Sequence, residues 1–195
     1  MRVSKFKLKT NRVLWAVLAM AMFFGMWFLL TDATGQPYCH KVVDTAIHNW
    51  QDVNNTKSFP NADGDSAKSL EEFTQYLGGE GLSDRYMYVP GLARNDPGDL
   101  ILMYLPAPTR WTWHGQKPSI FEEKAWLIVP VDMKFYGSRQ NLSPGEFSER
   151  VPFTEFKRRL QATLQFVEAE QRPNWQAIVK QHAAFLEAIQ EESDS

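Results

Sequence analysis

The sequence predicts an α+β protein: an N-terminal transmembrane helix continuing into a small domain with a short antiparallel sheet, then C-terminal amphipathic helices. Three observations predict it. Residues 13–30 form an unbroken run of 18 positions without a charge. Two apolar runs of strand length, 100–105 and 125–129, lie between turn signals in the middle of the chain. Two stretches near the end space their apolar residues at three and four, the period of a helix with one buried face.

The first of these sets the expected domain organisation. At about 1.5 Å per residue the run 13–30 reaches roughly 27 Å, close to the hydrocarbon thickness of a bilayer. Trp15 and Trp27 stand near its ends, where amphipathic rings are favoured. Arg2, Lys5, Lys7, Lys9 and Arg12 give residues 1–12 a charge of +5 with no acid; the whole chain is −2, so the remainder carries −7. Cations ahead of an apolar run hold the leading end in the cytoplasm. The expectation is a basic cytoplasmic segment over 1–12, a transmembrane helix over 13–31, an extracytoplasmic α+β domain over 32–142 and a helical segment over 143–195. The location that follows is single-pass in the inner membrane, facing the periplasm. The alternative is a signal peptide cleaved near Ala33-Thr34-Gly35.

Beyond Pro37, the residues Val42, Val43, Ala46, Ile47, Trp50 and Val53 fall on one helical stripe. Residues 54–66 are a loop rich in Asn, Asp and Gly. Within it Asp63-Gly64-Asp65 reads as a turn, since the twelve-residue calcium loop with its closing Glu is absent. Ser69-Leu70-Glu71-Glu72 has the form of a capping box, with Leu70, Phe73 and Leu77 as its buried stripe and Gly78-Gly79 as its stop. Tyr86-Met87-Tyr88-Val89 is a short strand signal and Asp96-Pro97-Gly98-Asp99 a turn. Pro130 cannot donate to a ladder, so the second apolar run meets an edge or a bulge there. In the tail, Ser143-Pro144-Gly145-Glu146 is a second capping box. Thr154 caps a helix carrying Phe156, Leu160, Leu164 and Val167. After Pro173, Trp175, Ile178, Val179, His182, Phe185, Leu186 and Ile189 mark the last helix, which frays over 191–195.

Chemistry-bearing motifs are few. His40, His48, His114 and His182 lack metal-ligand spacing. Cys39 is the one cysteine, so no internal disulfide forms, and as a neighbour of His40 on a helix it points about 100° away from that ring. There is no nucleophile elbow, phosphate loop or dinucleotide fingerprint, so no cofactor is expected. An acidic domain does not suit nucleic acid. The cluster Arg110-Trp111-Thr112-Trp113-His114 is the most unusual feature: in an extended chain Trp111 and Trp113 share one face while Arg110 and His114 share the other. It reads either as an exposed interaction surface made by Arg110, Trp111, Trp113 and His114, or as a segment covering the core with two large rings.

The order of parts resembles type IV pilins and the pseudopilins of type II secretion. The resemblance covers about residues 13–135. It rests on the helical stretch to Val53, the loop with Phe59-Pro60-Asn61, and Tyr88-Val89-Pro90-Gly91-Leu92 through Asp96-Pro97-Gly98-Asp99-Leu100-Ile101-Leu102. His114-Gly115 and the stretch from Trp126 to Asp132 follow in the order seen in some bacterial pilin-like proteins. The resemblance implies an apolar N-terminal helix packed on a small antiparallel sheet. No acid precedes Asp32 and residues 1–12 hold no glycine, so it implies a pilin-like anchored domain and not a processed filament subunit.

The function these readings favour is a non-enzymatic, membrane-anchored component or partner of a secretion or cell-surface assembly. Its partners would be the membrane through 13–30 and other envelope proteins, with no nucleic acid and no small-molecule cofactor. The second reading is an anchored envelope hydrolase using His114 and Asp132 with Arg110 nearby. A third is a helical coupling protein whose tail stripes pack on a partner.

Overall fold

A computed structural model describes Trp15, Leu18, Met20, Met22, residues 40–74, Tyr76, 85–110, 123–132 and 149–194. The chain divides into two compact units, Met1–Thr34 and Gly35–Ser195. In the first, the four described residues are helical and exposed. The basic segment 1–12 and the rest of 13–31 lie outside the described residues. Among the described residues no helix is long and apolar enough to cross a membrane. That finding overturns two expectations, the transmembrane helix of the fold class and the single-pass inner-membrane location with an extracytoplasmic domain. The physical reason is that hydropathy counts residues, whereas spanning needs about 20 of them in one continuous helix. The described positions do not make one.

The second unit is α+β. Its elements run α1 (His40–Asn54), α2 (Ser66–Thr74), β1 (Met87–Tyr88), β2 (Ile101–Tyr104), β3 (Trp126–Pro130), β4 (Glu149–Val151), α3 (Phe153–Ala169) and α4 (Trp175–Asp194). The strands form one antiparallel sheet in the order β1-β2-β3-β4, each pairing with its neighbour in sequence. The two expected apolar strands are its centre, and all nine of their residues are buried. That explains why they read as continuous apolar runs instead of alternating.

α1 buries Ala46, Ile47 and Trp50 as its stripe predicts, but Val53 is 71% exposed. Val53 is in the last turn of α1, and the chain leaves the helix just beyond it, where Asn55 at φ 47° makes a left-handed cap. Thr56 N–H donates to the Gln51 carbonyl at 3.1 Å and Asn55 N–H to the Asp52 carbonyl at 3.3 Å.

α2 starts one turn before the expected capping box. Asp65 is its cap, accepting from Lys68 N–H at 2.9 Å. Ser69 is fully buried inside the helix, where its hydroxyl accepts from Ala62 N–H and donates to the Asp65 carbonyl. The earlier start frees Ser66 Oγ to accept from the Tyr88 amide at 2.7 Å, which ties α2 to β1. Tyr88 and Phe73 then meet edge to face, and Phe73 meets Trp50 in the same way. The Asp63-Gly64-Asp65 segment is a turn and a helix cap. Gly64 has φ +76°, and a Cβ there would lie 2.9 Å from the Asn174 Cβ, so neither the backbone nor the space admits a side chain.

The sheet has one irregularity. The β2–β3 register shifts between Ile101 and Met103, opposite Val129 and Pro130. The Ile101 amide donates instead to Thr163 Oγ1 on α3 at 2.9 Å. Pro130 is tolerated for a related reason. Val131 N–H donates to the Leu100 carbonyl on the β2 side, so the proline nitrogen faces the β4 side, past the last β4 pair, Ile128 with Glu149. β4 itself is absent from the sequence reading, because Glu149-Arg150-Val151 carries one apolar residue and no pattern.

α3 and α4 lie against β2 and β3. Trp126 stacks on Phe156 with ring centroids 4.3 Å apart and planes 7° apart, and Tyr104 meets Phe156 at 5.1 Å and Phe185 at 5.4 Å. α3 begins after Pro152 with no side-chain cap, and Thr154 sits within the helix instead of capping it. The turn to α4 holds Gln171 and Asn174 at positive φ. It is pinned by Arg172 to Asp96 at 2.6 Å and by Asn61 Nδ2 to the Pro173 carbonyl at 2.9 Å, and α4 itself is tied to α2 by Ser66 N–H donating to Gln181 Oε1 at 3.2 Å. α4 continues to Asp194, beyond the expected fray.

Phe156 is fully buried and joins α3 to both central strands, through Tyr104 of β2 and Trp126 of β3. Phe156→Ala is expected to lower unfolding free energy by about 3–5 kcal/mol. Against a typical domain stability of roughly 5–15 kcal/mol, urea titration followed by tryptophan fluorescence reads this as a large fall in midpoint.

Candidate functional site

The predicted surface cluster is described only at its first residue. Arg110 follows the isolated bridge between Thr109 and Ala125, is half-buried, and has its Nε buried without a hydrogen-bond partner. Trp111, Trp113 and His114 lie outside the described residues. Asp132 is exposed in the turn after β3, where its N–H donates to the Gly98 carbonyl at 3.2 Å. Arg110 and Asp132 therefore flank opposite ends of a five-residue strand, separated along it by roughly 16 Å or more. The structure does not bring this pair into one pocket.

His182 is the histidine whose side chain the structure describes most fully. It is completely buried on α4, and its Nδ1 lies 2.7 Å from the Tyr104 hydroxyl. Burial lowers its pKa to about 4, offset in smaller part by the main chain of Tyr88. A neutral ring follows, and with the Tyr88 main chain favouring a proton on Nε2, Nδ1 accepts from the Tyr104 O–H. No hydrogen bond of good geometry is made at Nε2. Burial likewise pushes the Tyr104 and Tyr88 phenols up, so both stay protonated. The pair has the residue types of an acid–base dyad, but it is sealed by Phe156, Phe185 and Trp126. A substrate cannot reach it, and it acts as a polar pin in the core.

An open polar cleft lies elsewhere, at the end of α1. It has a volume of about 580 Å³ and is lined by Gln51, Asp52, Asn55, Thr56, Lys57 and Arg94. Local chemistry builds it in two steps. The left-handed cap at Asn55 turns the chain off α1, and Thr56 Oγ1 accepts from Ser58 N–H at 3.1 Å to shape the bend. The segment after the cap then pairs with the loop before Arg94. Ser58 bridges Ala93, Phe59 N–H donates to the Leu92 carbonyl at 3.0 Å, and Arg94 N–H to the Lys57 carbonyl at 3.0 Å. Two cations 37 positions apart in sequence are thereby set on one wall.

Gln51 forms the inner end of the cleft and is 5% exposed. Its Nε2 faces the Lys57 carbonyl at 3.4 Å, which orients the amide, since the oxygen would be repelled there. Oε1 is left buried with no donor. The lining therefore includes two cations and one carboxylate. The sequence reading placed Gln51 and Asp52 on the first helix and Asn55, Thr56 and Lys57 in the loop after it, and marked no site there. Nothing local showed that Lys57 and Arg94 meet.

The His182 pKa gives stability a direction with pH. An unfolded histidine takes up a proton near pH 6.5 and the folded one only near 4. The stability held by the neutral ring is therefore fully present above pH 6.5 and is lost as pH falls toward 4, on the order of 3 kcal/mol in all. Urea titrations across that window are expected to show the loss, and the difference curve against His182→Leu is expected to isolate it. A difference that does not change between pH 7 and 4.5 would refute the assignment.

Compared with protein-family models, curated proteins and solved structures, the chain matches none.

Proposed function

We propose that this protein is a non-enzymatic binding component of a larger protein assembly, and that the cleft between α1 and Arg94 is where it holds a partner. The observation that carries this reading is the cleft's own make-up, an open recess of about 580 Å³ lined by polar and charged side chains from α1, the segment after it and Arg94. The six lining residues include neither histidine nor cysteine, and their one hydroxyl, on Thr56, is engaged by Ser58 N–H. Such a set holds a ligand but has no activated nucleophile. The pilin-like order of helix, loop and antiparallel strands supports the assembly part of the reading.

A photo-crosslinking side chain at Asp52, in the full-length protein in cells that make it, is expected to give one discrete adduct identifiable by mass spectrometry. The same side chain at Glu168, exposed on α3, is expected to give none. Absence of an adduct at Asp52, or the same adducts at both positions, refutes the proposal.

A further inference from the structure

We draw no further inference here: the strongest candidate, the exposed apolar patch made by the helical residues Trp15, Leu18, Met20 and Met22 of the N-terminal unit, carries nothing, because nothing in the structure shows what covers it.

Discussion

The packing of Tyr104 is the interaction on which the domain depends. Its ring contacts Phe156 and Phe185, its hydroxyl meets His182 Nδ1, and its strand carries the pairing to both β1 and β3. α3 and α4 therefore meet on the sheet at this residue, beside Trp126, which stacks on Phe156 and meets Phe185 edge to face. A phenylalanine would supply the area but leave the buried His182 nitrogen without a donor, an imbalance that costs more than the hydrogen bond itself contributes. The neutral ring at ordinary pH follows from the same burial.

Around that apolar centre a small number of polar contacts fix register. Thr163 takes the amide that the β2 bulge leaves over, and returns its own proton to the Arg159 carbonyl. Arg159, almost fully buried, reaches the Asp99 carbonyl at 2.8 Å and Glu149 at 2.6 Å, joining the turn before β2 to the start of β4. Asp96 accepts from Ala93 N–H and from Arg172, tying the loop after β1 to the α3–α4 turn. The backbone groups that Thr163 and Arg159 satisfy, the Ile101 amide and the Asp99 carbonyl, lie at or just before the start of β2. Backbone groups are left over at such places and an unpaired one is costly. These contacts add specificity more than bulk stability, because burying charged pairs costs much of what their attraction returns.

The cleft is a by-product of the same rule. α1 has to stop, its carbonyls have to be satisfied, and the Asn55 cap satisfies them by turning the chain back. The short ladder from Lys57 to Phe59 then satisfies the loop ahead of Asp96. What remains between the two is a polar recess in which Gln51 is the one buried side chain not fully paired.

The sequence by itself determined the α+β class of the folded unit, its two central strands and its two long C-terminal helices. Their residues carry strong local periodicity, from the buried run around Tyr104 to the stripe of Phe156, Leu160, Leu164 and Val167. It also determined that Asp63-Gly64-Asp65 is a turn. It misplaced the start of α2 and missed β4, because Asp65 and Ser69 are both good caps and Glu149-Arg150-Val151 has no pattern. Which competing choice holds there is settled by partners distant in sequence, Tyr88 and Trp126. It also misled over residues 13–30, where an uncharged composition stood in for a continuous spanning helix that the described residues do not form. The meeting of Gln51, Lys57 and Arg94, and the separation of Arg110 from Asp132, were decided by tertiary structure alone. A side chain's neighbours across a sheet or a loop closure depend on how the chain returns, and no window of local sequence carries that information.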